Sequence, residues 1–147
     1  EFNEALKTVH YQHDQTPFEL NLDWLIDFNK PLFNGRKALL MDRKNGPKYT
    51  LTKLDIEGNK PAEGSYIYGD KKCSLEIGYV TSAMWSPAVK ANIAMAMIKT
   101  EYLQGEIWAE IYYEKELRQY DKVARCTIKE KPFWAPSRAR MTPPENY

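Results

Sequence analysis

The sequence predicts a mainly β protein with short N-terminal helices, in which residues 48–136 close into a C-terminal antiparallel β-barrel of about six strands. Three observations carry this. The one clear helical run lies within the first 47 residues, and from Lys48 onward short stretches of β-branched and aromatic residues alternate with polar turns. In two stretches the alternation of side chains is strict: Ile107, Ala109 and Ile111 against Trp108, Glu110 and Tyr112, and Ala124, Cys126 and Ile128 against Arg125 and Thr127.

Residues 1–15 are polar and read as a solvated lead-in; His10 and His13 have a spacing that neither a helical nor a strand face favours for a shared metal. Thr16-Pro17-Phe18-Glu19 then offers an N-cap, a proline at the first helical position and an acid at the third, which predicts a short helix running toward Trp24. Leu20, Leu22, Trp24, Leu25 and Ile26 are too dense for a surface helix, so part of this piece is expected to be buried. Phe33-Asn34-Gly35-Arg36-Lys37-Ala38-Leu39-Leu40-Met41 predicts the main helix, stopped by Asn45-Gly46-Pro47.

The strand candidates are 49–56, 65–68, 75–80, 93–98, 106–113 and 122–128, separated by turn signals at Glu57-Gly58-Asn59, Gly69-Asp70 and Gln104-Gly105. Within the third and fourth, Ile77, Tyr79 and Val80 favour an extended backbone while Ser86-Pro87 restricts the chain, so a turn is expected between 81 and 87. Trp85 would then sit in a polar turn. The Ala- and Met-rich run after Pro87 favours a helix locally, and a single helical turn is expected there before the next strand. Gly78 inside a strand marks a bulge or a close backbone approach, so that Gly78→Val should cost folding. Lys131-Pro132-Phe133-Trp134-Ala135-Pro136 ends the last strand, and residues 137–147 form a tail that either wraps the domain or is disordered.

With 147 residues the chain suits one domain, and its start, without Met, reads as a piece of something longer. No apolar run approaches the roughly 18 residues of a membrane span, and the polar N-terminus does not resemble a signal peptide. Twenty-one Lys and Arg balance 20 Asp and Glu, which argues against a nucleic-acid partner held by charge. Cys73 and Cys126 form no CxxC or Cys/His cluster, as expected of a reduced, cytoplasmic compartment.

No Gly-rich phosphate loop, HExxH or nucleophile elbow is present, and no His or Lys base accompanies Thr81, Ser82 or Ser86, so neither a catalytic nor a metal-ligating residue is assigned. The positive signal is aromatic: four Trp and ten Tyr supply planes on which a flat ring can stack, although core packing accounts for most of them. Trp85 is the foremost candidate, with Trp24, between Asp23 and Asp27, second.

Taken as an ordered set, Phe33-Asn34-Gly35-Arg36-Lys37-Ala38-Leu39, then Ile77-Gly78-Tyr79-Val80-Thr81-Ser82, Ser86-Pro87, Asn92-Ile93-Ala94-Met95-Ala96 and the closing Lys131-Pro132-Phe133 resemble the C-terminal region of the glycine cleavage T-protein family. These are aminomethyltransferases and related tetrahydrofolate-dependent demethylases. Met84-Trp85 and the extended tail depart from the family pattern and leave the methyl or aminomethyl donor open. The resemblance implies a three-domain enzyme with folate in a central channel and an acidic residue of the N-terminal part assisting one-carbon transfer. This chain would then be the barrel that closes one side of the channel, with residues 1–47 ending the preceding domain. Trp85, Trp24 and Arg36, the last in the F-x-G-R stretch, become candidate cofactor-binding residues, and the upstream domains and a lipoyl-carrier protein become expected partners. Two readings compete with it: an aromatic-faced small barrel that binds a flat ligand or single-stranded nucleic acid, and a purely structural docking domain.

Overall fold

In the computed structural model residues 15–60 and 62–136 are described; His10, His13 and the tail expected at 137–147 lie outside them. Ala38, Leu39, Leu40 and Met41 are strong helix formers, and they lie in the single α-helix among the described residues, α1 (Arg36–Asn45). Gly46 ends it at φ +77°, a conformation that side chains disfavour, and its N–H bonds to the Asp42 carbonyl at 2.9 Å.

The helix expected between Thr16 and Trp24 does not form. Its capping box does: the Glu19 N–H meets Thr16 Oγ1 at 3.3 Å and the Thr16 N–H meets Glu19 Oε2 at 3.1 Å. Beyond it Asn21 takes φ +56°, and the segment bonds to a strand instead. The Leu51 N–H donates to the Glu19 carbonyl and Asn21 Nδ2 donates to the Leu51 carbonyl, both at 2.7 Å. Only a short 3-10 turn, Asp23–Leu25, follows. The expectation of burial is corrected too, since Leu22, Trp24 and Leu25 are exposed and the buried residue is Glu19. Phe18, Phe28 and Phe33 hold the piece together, with successive ring centroids 6.5 Å apart.

The six strands are β1 (Tyr49–Ile56), β2 (Tyr66–Tyr68), β3 (Glu76–Ser86), β4 (Ala91–Lys99), β5 (Ile107–Lys115) and β6 (Arg118–Ile128). They close into an antiparallel barrel in the order β1-β4-β3-β2-β5-β6, sealed where Leu54 and Ile56 of β1 pair with Ile128 and Cys126 of β6. Closure leaves room inside for alternating large and small side chains. Leu54, Ile56, Ile67, Ile77, Val80, Ile98, Ile107 and Ile111 fill it against Ala94, Ala96, Ala109, Ala124 and Cys126.

The turn expected between 81 and 87 lies further on. β3 runs through Thr81, Ser82 and Trp85 to Ser86, because β4 supplies ladder partners along that whole length, from Gly78↔Ile98 to Ser86↔Ala91. A bulge between Val80 and Ser82 absorbs the extra residue, and Thr81 Oγ1 donates to the Met95 carbonyl at 3.0 Å. Residues 87–90 make the turn, with Lys90 at φ +53°, and the Ala- and Met-rich run is strand from Ala91 onward. Its helical propensity yields to the barrel, which takes Ala94 and Ala96 inward where larger residues would not fit.

β5 and β6 extend beyond the barrel as a two-stranded ribbon whose two-residue loop, Glu116 and Leu117, holds φ at +53° and +60°. That is the geometry of a type I′ turn, for which Asn-Gly is the preferred pair. Leu117 at its tip is 94% exposed and so gains nothing from burial. Replacing Glu116-Leu117 by Asn-Gly is expected to stabilise the protein by about 1 kcal/mol, seen as a rise of roughly 3 °C in the thermal midpoint.

Candidate functional site

At one end of the barrel the last residue of β1, the second of β4 and the penultimate residue of β3 stand side by side, since Ile56 pairs with Asn92 and Asn92 with Trp85. With Gly58, Asn59 and Lys90 from the adjoining loops they line a cleft of about 490 Å³. Trp85 is 46% exposed there, a half-buried ring rather than the free turn residue expected from the sequence, and Met84 before it points to the other face of β3.

Asn92 is the residue that the sequence reading missed. It is 1% exposed; its Nδ2 donates to the Lys60 carbonyl at 2.8 Å, whereas Oδ1 has no hydrogen-bond partner among the described residues. A buried acceptor without a donor costs about 1–3 kcal/mol. The signal was available in the alternation of Asn92, Ala94, Ala96 and Ile98, which places a polar side chain at an inward position. An aromatic plane beside an orphan acceptor suits a flat molecule with an N–H edge. Among the described residues no three His, Cys, Asp or Glu side chains are grouped to hold a metal.

The structure does not bring Trp24 and Arg36 to this cleft. Trp24 is 75% exposed on the 3-10 turn. Arg36 donates from Nε to the Lys30 carbonyl at 3.1 Å and from Nη2 to the Phe28 carbonyl at 3.3 Å, so it clamps the loop in front of α1.

A second polar group lies on the outer face of β2 and β5. Tyr68 donates to Glu110 Oε2 at 3.1 Å, and its hydroxyl is pushed up to about 12 by burial, then by the bond to Glu110 and that carboxylate's charge. The Asp70 loop below it is self-contained. Desolvation raises the Asp70 carboxyl, but bonds from the Ser74 hydroxyl and from the N–H groups of Ser74, Leu75 and Lys72 outweigh it and leave the group below the ordinary carboxylate range. The cysteines are free thiols, and burial pushes Cys126 up to about 12, which fits an inert core residue.

Comparison with known proteins agrees with the geometry. The model of the glycine cleavage T-protein C-terminal barrel domain matches residues 50–134, more than half of the chain. Among curated relatives, an aminomethyltransferase of Herpetosiphon aurantiacus is 32% identical over 88% of this chain and 34% of its own length, and one of Caldanaerobacter subterraneus subsp. tengcongensis is 37% identical over 62% and 24%. The chain thus spans about a quarter to a third of these relatives. In fold it is similar to the glycine cleavage system aminomethyltransferase T of Bartonella henselae, with a TM-score of 0.65 and 24% identity over 82% of this chain and 32% of that one. A closed six-stranded barrel matched over 50–134 places this chain in the glycine cleavage T-protein family, as its C-terminal barrel domain.

Proposed function

We propose that the chain works as the C-terminal wall of a tetrahydrofolate-dependent aminomethyltransferase or methyltransferase, closing one side of the folate channel and positioning the catalytic domains. The observation that carries this is the match to the barrel domain by a chain spanning only a quarter to a third of its aminomethyltransferase relatives. In such an enzyme residues 1–47 end the preceding domain, 48–136 are the barrel and 137–147 the tail. Bringing two substrates together is then the main demand, and a barrel whose strands are all paired into a closed ring is stiff enough to serve as a fixed surface for it.

Folate fits the residues present at the cleft, because its pterin ring is flat and carries N–H donors. Trp85 would stack on the ring and Asn92 Oδ1 would accept from its edge; bound folate itself supplies the nitrogen that carries the one-carbon unit. Trp24 and Arg36 act further out, Trp24 from an exposed position and Arg36 by fixing the loop before α1. Leu22, Trp24, Leu25, Leu32, Leu40 and Met41 leave the N-terminal piece with an apolar exterior, which supports contact with the upstream domains. A lipoyl-carrier protein is the further partner in a glycine-cleaving enzyme. Two free thiols, one buried, suit a reducing, cytoplasmic setting, and no helix among the described residues is long and apolar enough to cross a membrane.

Calorimetric titration with tetrahydrofolate should show weak or no binding to this chain alone and clear binding once the barrel is joined to its upstream domains. In that longer protein Trp85→Ala should leave the melting temperature within a few degrees and weaken folate binding about tenfold, the loss of roughly 1.4 kcal/mol. A folded longer protein that ignored folates would overturn the reading, and unchanged binding by Trp85→Ala would return that ring to ordinary packing.

A further inference from the structure

The ribbon that β5 and β6 form beyond the barrel has two faces of opposite charge. Ile111 packs in the core, so the pleat sends Tyr113 and Lys115 to the same side, and the register sets Lys122, Tyr120 and Arg118 opposite these three. The inner face therefore carries Lys115, Arg118 and Lys122 around two tyrosine rings stacked with centroids 5.6 Å apart. The outer face carries Glu110, Tyr112, Glu114 and Asp121 instead.

The inner face holds charge that the protein does not neutralise. Lys115 and Arg118 stand directly across from each other beside the turn, an arrangement that destabilises a ladder. Glu116 offsets part of it by pairing with Lys115 at 3.7 Å, whereas Lys60, Arg118 and Lys122 make no ion pair among the described residues. Two contacts tie this face to the Trp85 cleft. Lys60 places its ammonium 4.5 Å from the Tyr113 ring centroid while its carbonyl accepts from Asn92 Nδ2. The Lys122 ammonium stands 2.9 Å from where a Cβ on Gly58 would be, and Gly58 lines the cleft.

We infer that the inner face of the ribbon, together with Lys60, is a subsite for a chain of carboxylates attached to the flat molecule in the cleft. The identity of that molecule rests on the folate reading, since folate bears glutamyl carboxylates at the end away from its ring. Arg118 forks onto one carboxylate, Lys122 and Lys60 neutralise its neighbours, and the ligand's charge relieves the repulsion between Lys115 and Arg118. A nucleic-acid strand is the poorer occupant, because the acidic outer face of the same ribbon repels phosphates that run past it.

Titration of this chain with γ-linked pentaglutamate, followed by amide NMR shifts, tests the subsite directly. Shifts are expected at 58–60 and 113–122 and none in α1. Arg118→Glu combined with Lys122→Glu should weaken binding at least about tenfold. Arg118→Glu alone should leave or raise the thermal midpoint, because it sets an opposite charge across from Lys115, and a merely structural arginine would lower it. In the longer protein, tetrahydrofolate with five glutamyl residues should bind about tenfold more tightly than the form with one, and the double variant should erase that difference. Pentaglutamate shifts that are absent, or equal in the double variant, would overturn the inference. So would stronger shifts at 113–122 with a single-stranded oligonucleotide. If the longer protein binds neither folate while pentaglutamate still shifts the ribbon, the subsite stands and the folate reading falls.

Discussion

Gly78→Ala is expected to destabilise the barrel by about 3 kcal/mol or more, and Gly78→Val to prevent a stable fold. A Cβ at this position would stand 2.1 Å from the Met97 carbonyl oxygen and 3.0 Å from the Ile98 Cα, both backbone atoms of β4 that cannot rotate away. Gly78 pairs with Ile98 directly, so relief would require β3 and β4 to separate at a point where Ile77, Val80 and Ile98 are all buried. The cause is crowding, since Gly78 is not among the residues at positive φ. Urea unfolding followed by far-ultraviolet circular dichroism would measure it. A Gly78→Ala protein with the parent midpoint would show that the strands can part at little cost.

Glu19→Ala is expected to cost about 3 kcal/mol, because it strips the carboxylate acceptors from two backbone N–H donors at once. The carboxylate is buried, with Oε1 accepting from the Tyr49 N–H at 3.2 Å and Oε2 from the Thr16 N–H at 3.1 Å. One side chain thereby ties the N-terminal piece to the first residue of β1. Glu19→Gln keeps one oxygen acceptor and should lose roughly half as much. Hydrogen exchange should locate the damage: residues 16–47 lose protection before β5 and β6 do. Uniform loss over the whole chain, or an unchanged midpoint, would contradict this account.

Most of the strands were legible because their signal is local. Ile107, Ala109 and Ile111 alternate with larger or polar neighbours, and the pleat sends successive side chains to opposite faces whatever the strand pairs with. The helix stop at Gly46 was legible for a similar reason, as a residue without Cβ is suited to the positive φ that ends a helix. The failures share the opposite cause. Thr16 and Glu19 form the capping box their spacing predicts, yet the helix is lost to bonds with Leu51, a residue some thirty positions on. Trp85 looked like a turn residue because Ser86-Pro87 is a local stop, but β4 keeps β3 extended to Ser86 itself.

The candidate cleft was half legible. Trp85 stood out by its chemistry, whereas Asn92 needed the register that sets it between Ile56 and Trp85.

By itself the sequence determined the class of the molecule, the approximate place of its strands and, through the order and spacing of a few motifs, its family. Alternation, propensity and motif order are properties of neighbours along the chain. Only the tertiary structure decided where β3 ends, that Glu19 is a buried tie, that Arg36 grips backbone carbonyls, and that Trp85 and the buried Asn92 line one cleft. Each of these depends on which distant strand supplies the hydrogen bonds and the space, and barrel closure sets that for all six strands at once.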